Sequence, residues 1–475
     1  MGLAVANAAA PAAALIAALL VIPSCGVFAD SADEGQDLAK LVLLVEVDTL
    51  RADALDLPRA VPGGRQDPRS FGPASTPATA ALAAESLVLT GAYSSAPWTL
   101  PSISTLLTGK WPWEHGATRL LGTLGSGHTT LAEAFGLAGY RTGGVMTNFV
   151  ATADYGFAQG FDSWDDSLAT GHTGSTGAAA VEKLLAMVDD LGATGEPVFL
   201  YTLLFEPHWR YEHDPASGTP PAIAAVESLN DLRASLAAGE LSEDDLADLA
   251  DLYRDEVERT DAALAALRAG LEQRGLWDDA IVVLTSDHGE LIGEREWIGH
   301  TVDLSDTLVR VPLLVKAPGL RTGHESARVG QVDLGATLLD LAGVPAEARA
   351  GAFGKTPSFA PTLRDATVAP AREQLYLHVD FQPALLNATS ERKRSLQWGV
   401  VETATGRKWT VDHLAEGGPA GLFVDPDADP WESTDLSSAH DPAPLQTLRG
   451  LVPEPLAGQR GHDPVTPVAT GEDSP

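Results

Sequence analysis

A chain of 475 residues, 44% of them hydrophobic, has ample material for a large core, and its length points to a globular enzyme of two or three domains. Its 65 acidic residues against 31 basic ones give a formal charge of −34, which excludes DNA or RNA as the main partner because binding to phosphate backbones draws on cations. The acidity is spread along the chain, so it reads as a solvated, self-repelling surface.

At the N-terminus no residue from Leu3 to Phe28 is charged, and Ala13 to Ile22 is continuously apolar. That length fits a signal-peptide core better than a bilayer span, so residues 1–28 are expected to be an export signal and the mature protein to be periplasmic or at the cell surface. Met1 to Asn7 lacks the Lys or Arg that normally opens such a signal. The only cysteine, Cys25, stands in Ile22-Pro23-Ser24-Cys25-Gly26, which resembles a bacterial lipoprotein processing box with an atypical Pro23. Two readings stay open: an acylated Cys25 tethering the mature chain to a membrane, and an incidental cysteine in a removed signal.

After an acidic linker, Asp30 to Gln36, the run Leu41 to Val47 reads as a buried strand that delivers Asp48 at its C-terminal end. Two further apolar runs do the same: Val198 to Phe205 delivers Glu206 and His208, and Ala280 to Ser286 delivers Asp287 and His288. Carboxylates beyond the carboxyl ends of strands are where open α/β sheets bind ligands. Helical patterns lie between, at Thr79 to Glu85, Ser104 to Leu107, Thr130 to Ala138, Ala178 to Asp189 and about Asp244 to Arg274. The alternation predicts an α/β fold, a doubly wound, mostly parallel sheet with helices on both faces. Glu212 to Gly239 is Pro- and Ala-rich with weak periodicity and reads either as a surface insertion over the site or, the leading reading, as a solvated loop. Beyond Val344-Pro345 short alternating runs, Gln374 to Val379, Ser395 to Glu402 and Lys408 to His413, predict a small antiparallel sheet. The expected organisation is a signal peptide at 1–28, a catalytic domain at 38–345, a C-terminal subdomain at 346–437 and a disordered tail at 438–475. There is no internal repeat and no second long apolar span.

Three separated places supply four hard or borderline donors: Asp48, Thr99, Asp287 and His288. Two carboxylates with one imidazole suit one divalent cation that tolerates oxygen and nitrogen, with Mn, Zn, Mg and Ca all acceptable. A hydroxyl in that set gains nucleophilicity, because coordination lowers its pKa and fixes it for in-line attack on phosphorus or sulfur. Singly, each has an innocent explanation: Asp48 a helix cap, Thr99 a turn residue before Pro101, Asp287-His288-Gly289 a strand-end turn.

Their order in context carries more weight. Leu43-Leu44-Val45-Glu46-Val47-Asp48-Thr49-Leu50-Arg51-Ala52-Asp53 resembles the opening strand and ligand turn of the sulfatase branch of the alkaline phosphatase superfamily. Matches follow in the same order at Thr76-Pro77, Thr99-Leu100-Pro101-Ser102-Ile103-Ser104-Thr105-Leu106-Leu107-Thr108-Gly109, Glu206-Pro207-His208 and Thr285-Ser286-Asp287-His288-Gly289-Glu290. Gly299-His300, Arg310-Val311-Pro312, Asp333 to Val344 and Leu422 to Leu436 complete a resemblance that spans about Leu41 to Leu436. It implies metal ligation by Asp48, Thr99, Asp287 and His288, with Thr99 as nucleophile. It further implies substrate contact by His208, and a role for His300 at the transferred group or as general acid. Ser102, in the nucleophile segment, is expected at the substrate. The implied partner is an anionic ester, as a small molecule, glycan or lipid headgroup.

Two departures are informative. Sulfatases of this family form formylglycine from Cys or Ser in a Cys-x-Pro-Ser-Arg pattern, whereas this chain reads Thr99-Leu100-Pro101-Ser102-Ile103, so formylglycine is not expected. Tyr140 to Phe149 lacks the Lys and His that bind sulfate in many arylsulfatases. It carries Asn148 instead, either a hydrogen-bond donor to a transferred oxygen or a turn residue. Phosphoester hydrolysis therefore leads. Behind it stand a formylglycine-independent arylsulfatase, a phosphoalcohol transferase and a non-catalytic binder of sulfated or phosphorylated glycans. A second metal held by Glu206, His208 and His300 ranks below the one-metal reading. Trp111-Pro112-Trp113 and Trp297 read either as lining of the site's mouth or as packing. Asn387-Ala388-Thr389 is a glycosylation sequon, and Arg392-Lys393-Arg394 a short basic cluster.

Overall fold

A computed structural model describes residues 38–57, 72–170, 177–211, 228–381, 395–415, 420–429 and 432–436. The expected signal with Cys25, the acidic linker, the sequon, the basic cluster and the tail lie outside the described residues.

The first strand, β1 (Leu41–Val47), is buried along its whole length. Strand side chains alternate between faces, and here both faces are apolar: Val42 and Leu44 belong to one core cluster, Leu41, Leu43, Val45 and Val47 to the other. Such a strand needs cover on both sides and so belongs inside a sheet. Along the chain follow β2 (Leu87–Tyr93), β3 (Arg141–Met146), β4 (Ser163–Asp165), β5 (Val198–Leu204), β6 (Ile281–Ser286), a short hairpin of β7 (Leu291–Ile292) and β8 (Ile298–Gly299), β9 (Arg310–Lys316) and β10 (Gly323–Gly330). A later group comprises β11 (Gln374–Phe381), β12 (Ser395–Glu402), β13 (Lys408–Asp412) and β14 (Ala420–Val424).

Eight strands form the main sheet in the order β10-β2-β9-β6-β1-β5-β3-β4. Only β9 runs against its neighbours, β2 and β6; the other pairings are parallel. One core cluster is covered by the helices Thr99–Thr108, Leu131–Leu137 and Leu334–Leu341, the other by Pro77–Ala84, Gly177–Leu191 and Glu243–Gln273. The doubly wound, mostly parallel sheet is therefore as expected. Because β1 lies between β5 and β6, the ends of all three strands open onto one edge, the place where such sheets gather ligands.

The longest helix, Glu243–Gln273, starts at a capping box in which Ser242 Oγ accepts the Asp245 N–H (3.1 Å) and the Asp245 carboxylate accepts the Ser242 N–H (2.8 Å). The segment expected to be a loop at 212–239 is corrected over its described part, which contains the helix Leu229–Ala237 capped by Ser228. Leu232 is its only buried residue, so no apolar stripe betrayed it. Edge strand β10, with the polar sequence Gly-His-Glu-Ser-Ala-Arg-Val-Gly, also escaped a search for apolar periodicity.

The late group forms a separate antiparallel sheet in the order β11-β12-β13-β14. Leu375, Leu377, Val379, Phe381 and Val401 continue the main core, while Val400, Trp409, Val411 and Phe423 form a small cluster on the opposite face. A fully buried Lys408 on β13 fastens the sheet further, donating to Leu304 O (2.7 Å), to Asp306 Oδ1 (2.7 Å) and to Glu432. Among the described residues no helix is long and apolar enough to cross a membrane.

Candidate active site

Three strand ends and one helix start converge. Asp48, the residue after β1, is anchored by its N–H to Leu204 O (2.8 Å) and is fully buried. The next residue, Thr49, takes φ of 55°, a left-handed conformation that costs a β-branched residue roughly 1–2 kcal/mol. In that conformation its N–H donates to Asp287 Oδ1 (3.1 Å), which also accepts the His288 N–H (2.8 Å). Tyr253 of the long helix holds the same turn: its hydroxyl donates to Thr49 O (2.8 Å) and accepts the Arg51 N–H (3.0 Å).

Thr99 is the first residue of the helix Thr99–Thr108, which extends further toward the N-terminus than its apolar pattern indicates. Pro101 falls in the first turn, where a missing N–H breaks no helical bond. Gly109, at φ of 63°, closes the far end. Ser102 lies in that first turn, and its hydroxyl donates to Ala96 O (2.9 Å) beside Ser94 Oγ (2.5 Å). The structure thus places Ser102 on the backbone of the approach loop that presents Thr99.

His288 is the hub. Its Nδ1 lies 2.9 Å from Gly289 O, and a carbonyl only accepts, so Nδ1 carries the proton and Nε2 presents a lone pair. That lone pair stands 3.3 Å from Thr99 Oγ1, 3.3 Å from Asp287 Oδ2 and 3.7 Å from Asp48 Oδ1. Neither Asp48 Oδ1 nor Asp287 Oδ2 has a hydrogen-bond partner. Two buried carboxylate oxygens facing an imidazole lone pair repel one another, and a bound cation relieves that repulsion. Asp48, Asp287 and His288 form the one metal-type cluster of His, Cys, Asp or Glu among the described residues. The donor set fits a divalent ion, with Thr99 as the added hydroxyl.

Electrostatics agree. Burial, and then repulsion by Asp287, hold the Asp48 carboxyl well above the usual range. Burial pushes Asp287 up to about 7, against the hydrogen bonds from Thr49 and His288 that lower it. It likewise pushes Glu46, bonded to the Tyr201 hydroxyl at 2.6 Å, up to about 8. Burial depresses His288 to about 4. A cation held between them would reverse the upward shifts of the carboxyls, favouring their ionised form, and would keep His288 neutral with its lone pair available.

The remaining expected residues fall around this centre. Asn148 Nδ2 donates to Asp48 Oδ2, and its Oδ1 accepts the Val150 N–H (2.7 Å), so the side chain is keyed to Asp48. His208 is held by Nδ1 on Trp209 O, and its ring stacks on Phe205 at 4.6 Å between centroids. His300 bridges the two histidines, 5.1 Å from the His208 ring and 4.5 Å from the His288 ring. Glu206 is turned elsewhere, accepting the Gly177 N–H at 3.2 Å, and the described residues gather no second cluster from Glu206, His208 and His300. Trp111 and Trp113 stack on each other and meet Tyr376, while Trp113 also meets Trp398, so they pack against the small sheet.

Sequence reasoning passed over the residues that support this shell. Glu290, fully buried, places Oε1 2.9 Å from His300 Nδ1. Arg51, also buried, binds Asp53 (2.8 Å), Glu294 (2.6 Å) and Glu290 O (3.0 Å). The signal for Glu46 was present: a lone carboxylate inside an apolar strand.

Comparison with known proteins follows the same lines. Residues 40–344 match the family model described as Sulfatase. Arylsulfatase K of Bos taurus is 27% identical over 169 residues, 35% of this chain and 31% of its own length. The multifunctional alkaline phosphatase superfamily protein PehA of Trinickia caryophylli is 25% identical over 311 residues, 57% of each chain. The matched part therefore spans about a third of the arylsulfatase and just over half of PehA. Among solved structures, one in complex with its substrate D-glucosamine-2-N,6-O-disulfate superposes with a TM-score of 0.66 at 18% identity, covering 89% of this chain and 98% of that one. The phosphonate monoester hydrolase of Agrobacterium radiobacter gives 0.61 at 19% identity, covering 86% and 95%. At such identities the likeness is one of fold.

Proposed function

Because the chain belongs to the sulfatase family, we propose that it is an exported, metal-dependent hydrolase of phosphate or sulfate esters in which Thr99 is the attacking group. The observation that carries this reading is the meeting of Thr99 Oγ1 with His288 Nε2 at 3.3 Å, beside two buried carboxylate oxygens without partners. A divalent cation held by Asp48, Asp287, His288 and Thr99 supplies Lewis acidity and lowers the hydroxyl's pKa; Mn, Zn, Ca and Mg all match the donors.

Thr99 sits at a helix start with its Oγ1 3.3 Å from His288 Nε2, a placement that supports attack on phosphorus or sulfur. Thr99 gives its hydroxyl proton to solvent and its oxygen bonds to the central atom as the bond to the leaving oxygen breaks, and His300 or His208, in its imidazolium form, donates a proton to that oxygen. Water then releases the group from Thr99. Phosphoesters lead because threonine cannot be converted to formylglycine. The arylsulfatase relatives and the sulfated-sugar complex support a sulfate ester, with glycan esters as one substrate class, as the second reading. Export, and a tether through Cys25, rest on the uncharged N-terminal run and are tested by mass spectrometry of the mature N-terminus.

The decisive experiment assays purified, metal-analysed protein on sulfate esters, phosphate monoesters, diesters and phosphonates beside T99A. One divalent ion per chain, activity lost on chelation and a T99A rate at least ~10³-fold lower are expected. Full turnover by T99A overturns the nucleophile assignment. Metal-free protein inactive on every ester after metal addition favours a glycan-binding role.

A further inference from the structure

His300 reaches the centre on the loop that follows β7–β8, and its ring is held on the inside by Glu290. From the outside, one side chain grips the same hairpin in three ways. Arg233, on the helix Leu229–Ala237, donates from Nε to Ile298 O at 2.6 Å. Its guanidinium carbon lies 4.5 Å from the Trp297 ring centroid, within cation–π range. Its Nη2 packs so tightly on Gly299 that a Cβ built there would meet it at 2.2 Å, and Gly299 itself has φ of 100°. Trp297, Ile298 and Gly299 are the three residues before His300.

We propose that Arg233 is a positioning residue for His300: its planar fork pins the backbone of residues 297–299 and thereby keeps the imidazole against the His288 ring. The inference rests on the reading of His300 as the group that acts on the leaving oxygen. A lysine offers charge without the fork or the stacking plane and does not replace it.

The test is a double-mutant cycle on the full chain, measuring kcat, KM, bound metal and melting temperature for R233A, R233K, H300A and R233A/H300A with the best ester found. A group that acts through another loses its effect once the other is gone. The expected result is a kcat lower by about 100-fold in R233A, with KM and metal content unchanged, a partial loss in R233K, and R233A/H300A no slower than H300A. Wild-type kcat in R233A, or losses from R233A and H300A that multiply, overturns the proposal. Should R233A not fold, R233K carries the same cycle, and wild-type kcat in R233K then overturns it. H300A at the wild-type rate overturns both the reading of His300 and the inference, whereas an impaired H300A beside a fully active R233A overturns the inference alone.

Discussion

Asn148 Nδ2 donates to Asp48 Oδ2, so an amide at the end of β3 orients a carboxylate at the end of β1 across the intervening strand β5. Asp48 is left with Oδ1 facing His288. Residues that aim a ligand in this way tune metal affinity without touching the ion. N148A is expected to bind its divalent ion about 10- to 100-fold more weakly while keeping the fold. Metal titration against a competing chelator, with circular dichroism alongside, measures this; unchanged affinity would mean that Asp48 is oriented by its backbone alone.

The left-handed Thr49 makes a second, opposite pair of predictions. T49G adopts φ of 55° without the Cβ penalty and keeps the N–H to Asp287, so it retains metal and changes stability by less than ~1 kcal/mol, strain relief being offset by unfolded-chain entropy. T49P removes the N–H and fixes φ near −65°, and is expected to lose the ion and the activity. Equilibrium dialysis of both variants distinguishes conformation from side-chain chemistry.

Acid sensitivity has an identifiable source away from the metal centre. Burial depresses His115 to about 3, helped by the nearby His128, His378 and Lys110, and depresses His378 to about 3, helped by His413. His115 accepts the Ala117 N–H on Nδ1 (3.1 Å) and lies 3.1 Å from Thr105 Oγ1 through Nε2, a pattern that requires the neutral ring. Both histidines titrate near 6.5 once unfolded. Stability from keeping them neutral is complete above that pH and is lost as pH falls toward 3, at about 1.4 kcal/mol per pH unit for each. Urea midpoints at pH 7.5 and pH 5 should differ accordingly, and H115Q and H378Q should each flatten the slope. An equal slope in both variants would place the sensitivity elsewhere.

Lys408 should be indispensable to the small sheet. It is wholly buried with Asp306 and Glu432 as partners, and its removal leaves two carboxylates in a dry interior. K408A is expected to destabilise by about 3–5 kcal/mol, read as a drop in melting temperature. K408A/D306N/E432Q, which removes all three charges, should recover part of that loss.

How much of this was legible in the sequence depends on the distance over which each feature is specified. Asp48, Asp287 and His288 were readable because each follows an apolar run whose periodicity names the strand, and strand ends name the edge. Thr99 was readable from its motif, but the helix starting at it was not, because Pro101 and Ser102 dilute the apolar pattern at its first turn. The partnership of Asn148 with Asp48 joins residues a hundred positions apart, and nothing local encodes it. Arg233 was hidden for a different reason: its helix buries only Leu232, so a polar, Pro- and Ala-rich neighbourhood masked it. Polar β10 illustrates the same limit at the sheet's edge.

The position of β1 has a consequence in time. β1 is one of the innermost strands of the sheet, and its seven residues, six of them aliphatic, have no neighbouring strand until Val198 to Leu204 and then Ile281 to Ser286 have been added. Contacts so distant in sequence close slowly, and the donor set cannot exist before Asp287 and His288 are synthesised. The nascent chain therefore carries a sticky strand that lacks at least one neighbour until Ser286 has been added, and its heavy negative charge works against self-association during that interval.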